Sequence, residues 1–387
     1  MIDAGVHALS MAFAMGWEIL WPLILGFTLS AVVQAVVSHR EMSRLLPDDR
    51  PRSIATALLL GAASSSCSYA AVALARSLFR KGANFTAAMA FELASTNLVV
   101  ELSIIMLVLL GWQLTMAEFI GAPIMVILLV ILFRKFLSPR LLEDANEQAE
   151  KGVAGRMEGH ADMDMSVTEG GSIWQRNRSP QGFTAISHNF VMDWAAVWKD
   201  IGGSLLIAGA LAAWVPTMWW NRIFLTNHPQ LAKLRGPIVA PIVAILSFVC
   251  SIGNVPLAAV LWNGGISFGG VVAFIFADLI IIPILVIYRK YYGTAMMFTL
   301  LGIFYATMVA GGYIIEFLFG GLGLIPAERT AKVGDTGVHW NYTTVLNIIF
   351  LLLAAALLVR FFRSGGVAML KMMGGGPDEH EQHAHAG

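Results

Sequence analysis

The chain has 387 residues, of which 57% are hydrophobic and 13% charged, with 11 Trp, 22 Phe and a formal net charge of zero. A water-soluble core cannot hide so large an apolar fraction, so the composition points to an integral membrane protein. Without a basic excess there is nothing to displace the counterions of a phosphate backbone, which argues against nucleic acid. The two cysteines, Cys67 and Cys250, are too few for a disulfide framework.

A bilayer core of roughly 30 Å needs about 20 mostly apolar residues per helix. By that ruler the first span covers about 11–37, too long for a signal-peptide core and read as a retained helix. Segment 53–79 follows, apolar but interrupted by Ser64-Ser65-Ser66-Cys67-Ser68; then come two uninterrupted spans, about 84–110 and 114–137. Residues 138–193 are rich in Glu, Asp, Gly, Met and Ser and read as a polar linker between two membrane units. Beyond it the order recurs: a span at 197–219, an interrupted segment at 237–262 broken around Cys250-Ser251-Ile252-Gly253-Asn254-Val255-Pro256, then spans at 266–288 and 294–319. Here Gly253 and Pro256 are the expected breaking residues. A loop at 321–343, an extra span at 344–364 and a His-containing tail at 365–387 complete the chain.

The recurrence is also residue by residue. At an offset of 183, Cys67 meets Cys250, Ser68 meets Ser251, Val72 meets Val255, Gly82 meets Gly265, Phe85 meets Phe268 and Phe91 meets Phe274, with no gap. This predicts an internal duplication, with repeat 1 at 1–137 and repeat 2 at 194–320. Basic residues orient it, because they favour the cytoplasmic side. If both interrupted segments are re-entrant hairpins, one side collects Arg50, Arg52, Arg76, Arg80, Lys81, Arg134, Lys135, Arg289, Lys290, Arg360 and Arg363, among others. The opposite side then holds only Arg222, Lys233, Arg235, Arg329 and Lys332. Each repeat then has three crossings and one hairpin, and an odd number of crossings inverts the second copy. The expected fold is an all-α integral membrane protein of two inverted repeats plus one extra C-terminal helix. It lies in the inner, cytoplasmic membrane with the N-terminus outside and the linker and C-terminus inside. Inverted repeats with broken helices place substrate near the midplane, where irregular backbone is tolerated only in a buried or wet site.

The run Ser251-Ile252-Gly253-Asn254-Val255-Pro256-Leu257 leading to Gly264-Gly265-Ile266-Ser267-Phe268-Gly269, with Ser66-Cys67-Ser68 in the first half, resembles the ArsP-like predicted permeases. The resemblance spans nearly the whole chain and implies a permease associated with export of trivalent organoarsenicals.

Candidate residues follow from their chemistry. Thiolates prefer soft species, and trivalent arsenic behaves similarly by the resemblance. Cys67 and Cys250 are therefore the expected substrate ligands, with Ser66, Ser68, Ser251 and Asn254 supplying hydroxyl and amide groups. A charge at the centre of a membrane helix costs roughly 2.5 kcal/mol or more, so Asp278 and Glu92 are expected to carry coupling protons. Glu18, Glu101 and Glu316 lie nearer span ends and are read as anchors. His160, Asp162 and Met163 in the linker offer metal-binding groups without a fixed spacing. No nucleotide-binding loop and no cofactor are implied, and the expected partners are a small-molecule or soft-metalloid substrate and the bilayer. Competing readings are a transition-metal or small-anion permease fed by the His/Met linker and an intramembrane thiol oxidoreductase using the two cysteines.

Overall fold

The computed structural model describes residues 2–35, 44–64, 68–150, 179–214, 229–247, 251–332, 340 and 342–367. These are helical throughout their ordered elements, with no strand among them. In chain order they form α1 (Ile2–Gln34), α2 (Pro51–Ser64), α3 (Ser68–Arg80), α4 (Phe85–Asn97), α5 (Val100–Leu109), α6 (Trp112–Phe136) and α7 (Pro139–Glu150). After the linker come α8 (Pro180–Trp214), α9 (Pro229–Ser247), α10 (Ser251–Asn263), α11 (Phe268–Phe276), a 3-10 turn at Ala277–Ile280, α12 (Ile282–Tyr292), α13 (Thr294–Gly321) and α14 (Tyr342–Arg363).

Three helices, α6, α13 and α14, are long and apolar enough to cross a bilayer singly, and up to six crossings result if each bent pair counts as one span. Their outward faces carry Ile127, Ile131, Phe298, Phe317, Leu352 and Phe362, all more than half exposed. So continuous an apolar surface is suited to acyl chains rather than to water.

The sequence reading of 84–110 and 266–288 as uninterrupted spans is corrected. The first is two helices, α4 and α5, bent by 41°, and the second, α11–α12, is bent by 42°. Two different sequences produce the same bend. In the first, Ser95, Thr96 and Asn97 turn their side chains onto the carbonyls of Glu92 and Leu93, competing with the continuing helix. In the second, Pro283 has no N–H to carry the ladder across Ile281, which is extended. Gly253 and Pro256 are likewise not a break: α10 runs through both. Only the Ile252 carbonyl loses its partner at Pro256, a cost the surrounding helices absorb. The polar linker is shorter than 138–193, since α7 and the start of α8 occupy its two ends.

The turns after α3 and α10 are near copies. Gly82 (φ 95°) and Gly265 (φ 106°) each sit in the left-handed region. Each donates to the carbonyl three residues back, and the next residue donates five back, a glycine-terminated helix end. Asn84 then caps α4 and Ser267 caps α11, each accepting from the N–H three residues on.

The bundle has two distinguishable ends. At one, Asn84 N–H donates to Leu46 O, Arg134 pairs with Asp49 at 2.6 Å, and Gln148 donates to Lys290 O. The starts of α2 and α4 and the ends of α3, α6 and α12 therefore lie together, and α2 begins at the end where α3 finishes. At the other, Tyr313 donates to Leu234 O, Glu316 accepts from Gly269 N–H, and Lys332 N–H donates to Leu109 O. The starts of α9 and α11 and the ends of α5 and α13 lie there. Helices α6 and α13 run antiparallel, with Phe133 against Phe304 and Gly121 against Ile315. Helices α1 and α8 also run antiparallel, Gly209 packing on Ala8 and Ala12 while Phe27 meets Trp194.

Candidate functional site

Helices α3 and α10 each begin in the interior rather than at a surface. Their first residues, Ser68 and Ser251, touch, with hydroxyl oxygens 2.9 Å apart. The Ser68 hydroxyl donates to Asp278 Oδ2 at 2.8 Å, and the Ser251 N–H donates to Ser68 Oγ at 3.2 Å. Either hydroxyl can donate within this pair, and both serine hydroxyls lie within reach of the Asp278 carboxyl. The two serines stand 183 residues apart, the offset at which the sequence recurs, and are joined by a hydrogen bond. Two helix N-termini meet beside Asp278, and their dipoles suit a negative charge. Asp278 itself sits in the 3-10 turn at the α11–α12 bend, so the irregular backbone delivers the acid.

A second carboxyl, Glu92 on α4, accepts a hydrogen bond from the Tyr288 hydroxyl of α12. A third, Glu118 on α6, lies in electrostatic range of Asp278, as does Glu92. All three acids are at most 1% exposed. Glu92 Oε2, Asp278 Oδ1 and both oxygens of Glu118 have no hydrogen-bond partner among the described residues. Asn254, also fully buried, leaves its amide nitrogen and oxygen unpartnered one turn beyond Ser251. Such a concentration of unsatisfied buried polar atoms calls for a functional explanation.

Of the sequence candidates, Ser68, Ser251 and Asp278 come together and Glu92 lies nearby. Asn254 shares the helix but has no printed contact to the group. Ser66, Cys67 and Cys250 lie outside the described residues, as do His160, Asp162, Met163 and the tail histidines. Among the described residues no group of three His, Cys, Asp or Glu could hold a metal ion. Glu316 is held by Gly269 N–H at 2.6 Å, and the Glu101 side chain packs against Gly26. Glu118 is the site acid that the sequence reading passes over. The rule that flags acids inside membrane spans applies to it equally.

Aromatic and basic side chains flank the site toward both ends. On the basic end Tyr288, Tyr291, Tyr292, Phe79, Phe85, Phe133 and Phe304 form a continuous set of ring contacts. Arg76 stacks over Tyr291 at 4.4 Å and donates to Ala149 O of α7 at 2.8 Å. On the opposite end Arg329 stacks over Trp262 at 4.4 Å and donates to the Trp262 and Ile266 carbonyls, with burial holding its guanidinium below the ordinary value. Beside it opens a cavity of about 540 Å³ bordered by Trp21, Leu107, Leu109, Trp262, Glu328 and Lys332.

The chain is similar to known proteins. The profile of the ArsP_1 family, described as predicted permease, matches residues 6–317. Rv2963 of Mycobacterium tuberculosis (strain ATCC 25618 / H37Rv), whose name gives a permease and no substrate, is 66% identical over 348 residues, 90% of this chain and 86% of that protein. No solved structure matches the chain.

Proposed function

The chain belongs to the ArsP_1 family of predicted permeases and is a multi-pass membrane transport protein; from that premise we propose that it is a secondary permease of two inverted repeats exporting a soft, thiophilic solute such as a trivalent organoarsenical, driven by protons. The observation that carries this reading is the Ser68–Ser251–Asp278 contact. It joins the two halves at equivalent residues, it is buried, and it includes an ionisable group. In the sequence each of those serines is immediately preceded by one of the two cysteines. A helix N-terminus favours thiolate over thiol, and thiolates are the ligands soft species select. Cys67 and Cys250 are accordingly the proposed cargo ligands, with Asp278 as the principal proton carrier and Glu92 as a second.

The inverted arrangement is supported by the antiparallel pairs α6–α13 and α1–α8 and by the matched turns at Gly82 and Gly265. The membrane orientation is supported by charge. Arg76, Arg80, Arg134, Lys135, Arg289, Lys290, Arg360 and Arg363 fall at helix ends on one side, with Lys233, Arg235, Arg329 and Lys332 on the other. The first side is assigned to the cytoplasm, which puts the N-terminus outside and the linker and C-terminus inside, in the cell membrane. The Arg76–Tyr291 and Arg329–Trp262 stacks toward opposite ends fit an occluded form of an alternating-access cycle.

The test is export of a trivalent arsenical by everted vesicles. Cys67→Ser and Cys250→Ser are each expected to abolish most of the flux at unchanged protein level. The double change should cost little beyond the worse single one, because two ligands of one ion act as a unit. Native flux in both single variants would remove the thiols, and with them the thiophilic cargo.

A further inference from the structure

Glu118 differs from the other two acids of the site in having nothing to hold it. Asp278 Oδ2 is bonded by Ser68 and Glu92 Oε1 by Tyr288, but neither Glu118 oxygen meets a donor among the described residues, and the side chain is sealed from solvent. An ionised carboxylate left bare in a low-dielectric interior is prohibitively costly, so such a group keeps a proton or a counter-cation. The counter-cation cannot come from the neighbouring helices. Those packed on α6 are α4, α5, α11 and α13, and none of these, nor the 3-10 turn after α11, contains a Lys, Arg or His. From those elements the ionisable group that acts on Glu118 is an acid, Asp278 on the turn, which acts likewise on Glu92 of α4. The remaining ones turn away, Glu101 of α5 toward Gly26 of α1, Glu316 of α13 toward Gly269, and Tyr305 and Tyr313 of α13 toward carbonyls of α9. The repeat offers no counterpart, since the position 182 residues on, which aligns α6 with α13, is Leu300.

We propose that Glu118 is a proton-carrying residue that works with Asp278, so that coupling rests on a pair of carboxyls on α6 and the α11–α12 bend. Each takes one proton from water on one side of the membrane and returns it to water on the other, with no net chemistry on the protein. Gly121, one turn on from Glu118, packs on the ring of Phe276 at the end of α11, two residues before Asp278, and two like charges that interact in a buried interior cannot both be bare at once without severe cost, so the protonation state of one conditions the other. The proposal rests on the permease reading and extends it to a residue the repeat itself does not supply.

The full chain, reconstituted into phosphatidylethanolamine–phosphatidylglycerol vesicles, is treated with N,N′-dicyclohexylcarbodiimide, which attacks protonated carboxyls in apolar surroundings, and the labelled peptide is identified by mass spectrometry. Labelling at Glu118 is expected, stronger at acid than at alkaline pH and unchanged when sodium replaces choline in the buffer. Label at Asp278 or Glu92 with none at Glu118 at any pH overturns the proposal, and protection by sodium overturns it in favour of a metal cation. In a second arm, phenylarsenite uptake is driven by an imposed pH gradient. Glu118→Gln should fall to the level of protein-free vesicles while still exchanging phenylarsenite at equilibrium, and Glu118→Asp should recover part of the driven uptake. Native accumulation by Glu118→Gln overturns the pairing. Absence of uptake by the unsubstituted protein would instead sink the arsenical reading, and the labelling arm would still decide the role of Glu118.

Discussion

Asp278 has one carboxyl oxygen bonded by Ser68 and the other without a partner among the described residues. Asp278→Asn keeps hydrogen-bonding capacity but cannot exchange a proton, so gradient-driven transport should vanish while arsenical binding, read by quenching of Trp fluorescence, stays near native. Glu92→Gln should do less, since the Tyr288 hydroxyl still finds an acceptor in the amide oxygen. Outside the membrane, Asp48 accepts from the Ser53 hydroxyl at 2.5 Å and the Arg50 N–H at 3.1 Å, and the first of these bonds chiefly holds its carboxyl below the usual range. A depressed folded-state value gives stability that is present above the ordinary carboxylate pKa of about 3.9 and is lost as pH falls through the depressed value. Asp48→Asn should therefore lower the melting temperature slightly at neutral pH and not at all once the carboxyl is protonated in both states, a comparison that thermal scans at the two pH values settle.

At the scale of elements, close helix approach depends on a few glycines. A Cβ on Gly61 of α2 would come within 2.8 Å of Ala94 Cβ, and one on Gly312 of α13 within 2.7 Å of Gly269 O and 3.1 Å of Pro237 Cβ. Small residues at such contacts let membrane helices pack backbone to backbone. Gly61→Val and Gly312→Val should each cost about 1–3 kcal/mol through overpacking and lower the melting temperature in detergent. Gly302→Ala, with nothing within 4 Å of the added carbon, should leave it unchanged or raise it. The breaks were only half legible. Clustered Ser and Cys mark the interruptions before α3 and α10, but the bends at Leu98–Val99 and Ile281 sit in runs whose apolar content reads as continuous span. Hydropathy counts apolar side chains, whereas these bends arise from side chains competing for carbonyls and from one missing N–H.

For the whole molecule, the orientation argued from charge leads to a labelling experiment. In a cysteine-free background, a single cysteine at Gly265 should react with an impermeant thiol reagent added outside intact cells. Cysteines at Gly82, in the linker at Gly170 and in the tail at Gly375 should react only after permeabilisation. Labelling of Gly82 from outside would mean that the interrupted segments cross the membrane, and the inverted assignment would fall. The amino-acid order by itself determined the membrane class, the equivalence of Ser68 with Ser251 and the candidacy of Asp278 and Glu92, because these depend on composition, spacing and the cost of charge in a span, all local properties of the chain. Only the tertiary structure decided that the two serines touch, that Asp278 is their partner, and that Glu118 is buried without a donor among the described residues. Which of several buried acids finds a donor or a counter-charge depends on helices far apart in sequence, and no local pattern records which faces they bring together.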